Sequence, residues 1–171
     1  MKKILLLTLL FVSAFANGQD KVKFHNGNVG EGKVVEVTPQ YVKFVYAGED
    51  AVVMIGVLAI ENITFKNGRV QEITNKIEVK SSADWEKVKI VHDKNEVFGM
   101  KSLGNVEKHS NGAWSFHTAT GHFMKKAQQK IKKEAAAKGA CVALVISEST
   151  TAKEGLFSDP DSSLICELFT Y

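Results

Sequence analysis

His117–Ser147, HTATGHFMKKAQQKIKKEAAAKGACVALVIS, is the stretch whose reading decides how this chain folds. Phe123, Ala127, Ile131 and Ala135 recur every fourth residue and share one helix face, while Lys125, Lys126, Lys130, Lys132 and Lys133 cover the rest. The spacing predicts an amphipathic helix with a narrow buried stripe of mostly small residues. Gly139 suits the left-handed position just past a helix end, and the lysines nearby complement the negative end of the helix dipole. Val142, Leu144 and Ile146 then alternate with Cys141, Ala143, Val145 and Ser147. Both sets are mostly apolar, which predicts an inner strand beneath the helix. This stretch anchors a fold and carries no reaction.

Leu164, Cys166, Leu168 and Thr170 alternate with Ile165, Glu167, Phe169 and Tyr171, so the chain is expected to end on a strand that forms a hairpin with 141–148 about a loop near Gly155. In the other direction, Trp85–Val91 reads as a strand and Val97–Val106 as another, broken at Gly99 and Gly104. A single helix between strands predicts an α+β unit over 84–171, β-α-β-β with the helix laid on a sheet. Polar Lys80-Ser81-Ser82-Ala83-Asp84 is expected to join it to an independently folding first unit.

That first unit, 19–79, shows no helical period. Phe24-His25-Asn26-Gly27-Asn28-Val29 and Phe65-Lys66-Asn67-Gly68-Arg69-Val70 repeat one pattern, an Asn-Gly pair between strand-like runs, and each is expected to be a type I′ hairpin. Three more strand-like runs lie between them, separated by Thr38-Pro39-Gln40 and Gly48-Glu49-Asp50. Several short strands without a helix predict a small closed or half-closed all-β barrel, because closure removes exposed edges. Val34, Val37, Val42, Phe44, Val53, Ile55, Ile60 and Ile63 are the expected core, with Tyr41, Tyr46 and His25 on the outside as half-buried strand aromatics or a binding patch.

Ahead of both units, Lys2 and Lys3, the apolar run Ile4–Val12 and Ala14-Phe15-Ala16 have the three-part layout of a secretory signal, so residues 1–18 are expected to be removed after Ala16 or Gly18. The apolar run is far shorter than the roughly 20 residues that span a bilayer, and no later stretch reads as spanning. An exported protein, periplasmic or extracellular, is the expectation. Composition is that of a globular chain, 44% hydrophobic and 24% charged. Loss of the two signal lysines lowers the formal charge from +3 to +1, which points away from a nucleic-acid partner. The remaining expectation is an unidentified envelope protein or surface component as partner.

Gly32–Phe44 (GKVVEVTPQYVKF) followed by Ile60–Gly68 (IENITFKNG) is similar to the SH3-like or Sm-like small barrels of exported bacterial proteins. That resemblance implies a binding or packing module and brings no catalytic set. Glu86–Val91 (EKVKIV), Leu103–Val106 (LGNV) and Lys133–Ala140 (KEAAAKGA) leading into an apolar strand resemble the envelope lipoprotein domains related to the Rcs stress-sensor lipoprotein. The YbjQ-like domains, labelled heavy-metal-binding, share the last part. The chain departs from that pattern at Cys141, where the family has Asn, at Met100, where it has cysteine, and at Ser147–Ser149, where its penultimate-strand cysteine has no counterpart. Only Cys166 falls near a family cysteine, so neither the family's disulfides nor its lipid anchor carries over.

Three constellations bear on chemistry. His109, His117 and His122 surround the helix start, with Asp159 and Asp161 in a later loop, and three imidazoles can hold a zinc ion. Five residues of helix turn through about 500°, however, which points His117 and His122 roughly 140° apart. Asp159-Pro160-Asp161-Ser162-Ser163 lacks the ligand series of a calcium loop and reads as a turn. Cys141 and Cys166 are candidates for a disulfide or a thiol nucleophile. In the expected hairpin Cys166 faces Val145 and Cys141 faces Thr170, which puts the thiols on one face but roughly 13 Å apart, beyond disulfide reach. Lys125, Lys126, Lys130, Lys132 and Lys133 form a basic face for lipid headgroups or polysaccharide, or a solvated helix back. No Gly-x-Ser-x-Gly, His-Glu-x-x-His or glycine-rich phosphate loop occurs. The expected function is a non-enzymatic binding module without cofactor, the alternative a metal-binding or thiol-reactive envelope protein.

Overall fold

The two Asn-Gly segments close in the same way in the computed structural model, which describes residues 18–111, 121–151 and 161–171. Gly27 and Gly68 donate their N–H to the carbonyls of Phe24 and Phe65 at 3.0 and 2.8 Å, and these phenylalanines donate back to Asn28 and Arg69 at 2.9 and 2.8 Å. Asn26 and Asn67 accept through Oδ1 from the N–H two residues on, at 2.9 and 3.0 Å. Only the glycines take positive φ, +92° and +85°. The expected type I′ turn would require it of the asparagines as well. A three-residue loop, a type I turn ended by a left-handed glycine, places that demand where there is no Cβ to resist it.

The hairpins belong to a six-stranded antiparallel sheet made of β1 (Asp20–Phe24), β2 (Val29–Val37), β3 (Tyr41–Tyr46), β4 (Val53–Gly56), β5 (Ile60–Thr64) and β6 (Val70–Glu72). Its order is β4-β3-β2-β1-β5-β6, so β1 and β5 bring the two hairpins side by side. Val22, Val42, Phe44, Ile55, Ile60 and Ile63 fill its inner face. Of the expected core, Val34 and Val53 are half-buried and Val37 is exposed where β2 has outrun β1. Strand pairing does not close a barrel among the described residues, since β4 and β6 remain the edges. The edge of β4 is met instead by the second half of the chain, where the Phe98 carbonyl accepts from Gly56 N–H at 2.8 Å. That approach requires glycine, because a Cβ on Gly56 would stand 2.2 Å from the Glu96 carbonyl oxygen.

The second sheet holds β7 (Lys89–Val91), β8 (Lys101–Asn111), β9 (Val142–Thr151) and β10 (Asp161–Thr170) in the order β7-β9-β10-β8. β7 runs parallel to β9, and the other pairs are antiparallel. One expected strand is shorter than the sequence suggested and another is shifted along the chain. Ser81 and Asp84 form a capping box that winds Ser82–Lys87 into a 3₁₀ helix, leaving only Lys89–Val91 extended. Asp93 likewise caps a 3₁₀ turn at Lys94–Val97, so β8 starts only at Lys101 but runs on to Asn111.

Helix α1 (Gly121–Ala137) lies on this sheet through Ala127, Ile131 and Ala135, all fully buried, with Ala136 beside them. The side chain of Phe123, the first member of the expected stripe, lies outside the described residues. Ala140 N–H donates to the Ala135 carbonyl at 2.8 Å and Gly139 N–H to Ala136 at 3.1 Å, with Gly139 at φ +73°. This is the double-bonded glycine stop, and the buried contact of Ala135 with Ala140 accompanies it.

β9 is an inner strand whose two faces have different covers. Ala143 and Val145 face α1 together with Val106, Leu164, Cys166 and Leu168. Val142 and Leu144 face the other way, into a cluster with Val91, Val97 and Phe169 that also takes Val57 and Leu58 from the first sheet's connection. Ile73, Ile77 and Val79 pack onto that cluster from the linking segment. The second sheet is therefore a middle layer, between its own helix and part of the first unit.

Candidate binding groove

β1 pairs with β2 only from Lys23↔Val29 to Asp20↔Gly32, and with β5 only as far as Lys21↔Thr64. β2 continues to Val37, paired beyond Gly32 with β3 alone, and the chain after β5 continues into the Asn67-Gly68 turn. A gap opens where β1 ends. Asp20, nearly buried, bridges it: Oδ2 accepts from Val34 N–H and Oδ1 from Lys66 N–H, both at 2.8 Å. The carboxylate satisfies two backbone donors that the missing length of β1 leaves without a strand partner. At the floor, Gly32 admits no side chain, since a Cβ would lie 2.0 Å from the Val45 carbonyl oxygen and 2.8 Å from the Phe44 ring.

The result is a groove of about 620 Å³ lined by Lys33, Val34, Tyr46, Phe65, Lys66 and Arg69 among others. Arg69 stacks its guanidinium 4.0 Å from the centre of the Phe65 ring and donates to Gln71 Oε1 at 3.2 Å. Elsewhere on this sheet lysines are matched, Lys21 with Glu31 at 2.8 Å, Lys23 with Glu61 at 2.6 Å and Lys43 with Glu36 at 2.7 Å. Lys33, Lys66 and Arg69 have no carboxylate partner among the described residues. Glu49 also lines the groove, and Asp20 is spent on the backbone. The groove thus combines three unmatched cations with an aromatic and aliphatic wall.

The residues that the sequence singled out are elsewhere. His109 is exposed on β8, 3.1 Å from Glu107, while His117, Asp159 and the side chains of His122 and Asp161 lie outside the described residues. Among the described residues no three His, Cys, Asp or Glu side chains converge as a metal site. Cys166 does pair with Val145, and Phe169 with Val142. Cys141, however, precedes the strand and turns into the cluster shared with the first unit, its Sγ 3.6 Å from the Phe169 carbonyl, whereas Cys166 lies under α1. Both thiols are free, buried and on different sides of the sheet, not on the one face that strand alternation suggested. Burial pushes the Cys166 thiol up to about 11, reinforced by Glu148, and raises that of Cys141 against an opposing hydrogen bond from Tyr171. Both therefore hold their protons near neutral pH.

The lysine face of α1 is partly engaged within the chain. Lys130 donates to the His109 carbonyl at 2.6 Å, Lys132 to the Glu86 carbonyl at 3.2 Å, and Lys133 lies 5.3 Å from the Trp85 ring centre. Lys125 and Lys126 are exposed.

His25, expected outside with the tyrosines, is buried. It reaches Thr74 Oγ1 through Nε2 at 2.9 Å and sits 4.9 Å from the Tyr171 ring. Tyr41 and Tyr46 are half-buried, Tyr46 edge-on to Phe44 at 5.0 Å.

Nothing in the sequence joined Asp20, Lys33, Lys66 and Arg69, which come from three separate elements. The usable sign was the repeated Phe-x-Asn-Gly-x-Val hairpin, whose two copies pair with each other through β1 and β5. No helix among the described residues is long and apolar enough to cross a membrane. Comparison of the chain with family models, curated proteins and solved structures found no match.

Proposed function

We propose that this chain is an exported, non-enzymatic binding protein of the bacterial envelope, and that the groove at the end of β1 is where it takes its ligand. The observation that carries the reading is that Lys33, Lys66 and Arg69 have no carboxylate partner among the described residues, on a sheet whose other lysines are paired. Unpaired charge beside an apolar wall raises the local potential for an anionic ligand without stabilising the fold. The first sheet is on this reading a half-open relative of the SH3-like and Sm-like barrels. The likeness of the second unit to envelope lipoprotein domains supports the location. The buried, protonated thiols offer no support for the thiol-reactive alternative.

The test is retention of envelope components by the immobilised chain from residue 19 onward. Reversing the groove with Lys33→Glu, Lys66→Glu and Arg69→Glu is expected to abolish retention that Lys125→Glu with Lys126→Glu leaves intact. Equal retention by wild type and groove variant overturns the assignment of the site. Cell fractionation that finds the protein in the cytoplasm overturns the location.

A further inference from the structure

Alternate residues of a strand share a face, and Gly30 and Gly32, both buried, leave a strip of β2 without side chains. Tyr46 is the register partner of Gly32 and reaches over Gly30 as well, where an added Cβ would stand 3.1 Å from its ring, 3.4 Å from that of Phe24 and 3.5 Å from that of Phe44. At Gly30 a second depression opens, of about 450 Å³, walled by half-buried Phe24 and Tyr46, by Asn26 and Asn28 of the first hairpin loop, and by Ile55 and Gly99. Tyr46 thus lines both this trough and the cationic groove. None of the residues lining the trough is charged. Its polar groups are nevertheless unspent: the Asn28 amide and the Tyr46 hydroxyl make no hydrogen bond among the described residues, and Asn26 uses only Oδ1, toward the Asn28 N–H.

An amide and a phenol each both donate and accept, which matches hydroxyl groups, themselves donors and acceptors, and calls for no charge on the ligand at that point. Aromatic side chains that are only half buried offer an apolar face beside a wet rim. A pyranose ring has the complementary build, C–H groups on its faces and hydroxyls around its edge. Resting on the reading of the groove as the anion site, we infer that the ligand is an acidic oligosaccharide that spans both depressions. One sugar ring lies in the trough against Tyr46 and Phe24, with its hydroxyls on Asn28 and Tyr46, and the acidic groups of the next residues face Lys33, Lys66 and Arg69. A polyanion without sugar rings would satisfy the cations and leave the trough unused.

Isothermal titration of the chain from residue 19 onward with hexagalacturonate, and with hexaglutamate as a polyanion that also carries a row of side-chain carboxylates, tests this. Hexagalacturonate binding is expected to be saturable, to weaken with salt, and to fall at least about tenfold in Lys33→Glu with Lys66→Glu. It should also fall at least about fivefold in Asn28→Ala with Tyr46→Phe, which remove two hydrogen-bonding groups that the described fold does not use. Hexaglutamate should bind more weakly and be indifferent to that second pair. Equal binding of the two probes, neither of them moved by Asn28→Ala with Tyr46→Phe, makes the groove a simple anion site, which sinks the inference and spares the proposed function. Should neither probe bind while envelope retention still depends on the groove cations, the inference again falls alone. If that retention is also independent of them, both fall.

Discussion

Two buried polar side chains of the first unit each have one consequence that can be measured. The Thr74 hydroxyl has a single proton, and carbonyl oxygens of Ile60 and Val57 stand 2.8 and 3.1 Å away to receive it. Toward His25 it therefore accepts, so Nε2 carries the ring hydrogen and Nδ1 is left as a bare, buried acceptor without a partner. Protonating Nδ1 would place an N–H and a charge where neither is solvated. Burial accordingly lowers the His25 pKa, helped by Lys76 and Lys23 and opposed by Glu61. The unfolded chain, titrating near 6.5, then binds the proton more readily than the folded one. Stability from this residue is complete above about pH 6.5 and is lost as pH falls below it. Urea melts of wild type and His25→Gln, which keeps a side-chain donor but does not titrate, should diverge in slope between pH 7 and pH 5, with wild type the steeper. Parallel slopes would mean that His25 is solvated. At Asp20, truncation to Ala orphans the Val34 and Lys66 N–H groups and should cost about 2–4 kcal/mol, with Asp20→Asn, which keeps one acceptor, losing less. A loss below about 0.5 kcal/mol, the range of surface sites, would show that water replaces the carboxylate.

At the scale of the element, α1 shows how little apolar bulk can hold a helix. Among its described side chains Ile131 is the one large residue at the centre of the buried stripe, between alanines that let the helix approach the sheet closely. Ile131→Ala is expected to cost about 2–5 kcal/mol, since a cavity beneath a helix set so close to the sheet has few neighbours able to collapse into it. Lys125→Ala should change stability by less than about 0.5 kcal/mol. Lys133→Ala removes a cation from the Trp85 ring and should cost about 0.5–1 kcal/mol, more than a bare surface lysine would. Denaturant melts of the three variants rank them. If Lys125→Ala proved as damaging as Ile131→Ala, the helix would be seated on a different face.

For the whole molecule, the decisive feature is the cluster that Val57 and Leu58 share with Val142, Leu144 and Phe169. The segment 80–84 is polar and its backbone is wound into the capping box, but the halves it joins bury apolar surface against one another. One cooperative thermal transition is expected, not two. Leu58→Ala, although it lies in the first unit, should lower that transition as a whole by about 2–5 kcal/mol. Gly56→Ala forces a Cβ onto the Glu96 backbone and should loosen the contact between the halves. Calorimetry resolving two transitions in the wild-type protein, only the first of them shifted by Leu58→Ala, would instead show that the two units fold independently.

Sequence by itself determined whatever rests on neighbours along the chain. The lysine-coated helix is legible because its stripe repeats within a few turns, its stop because glycine takes φ +73° at Gly139 without a Cβ to resist it, and both hairpins because Asn-Gly marks a reversal. The apolar character of both faces of β9 was equally plain, and it predicted that something covers each face. What covers the second face was decided only by the tertiary structure, because Val57 and Leu58 lie far off in the chain and nothing local couples them to Val142. The same holds for His25, which reads as an outside residue until Thr74 and Tyr171 close over it. The groove is non-local throughout. Asp20, Lys33, Lys66 and Arg69 are ordinary residues of separate elements, and they meet because β1 stops short while its neighbours on both sides continue.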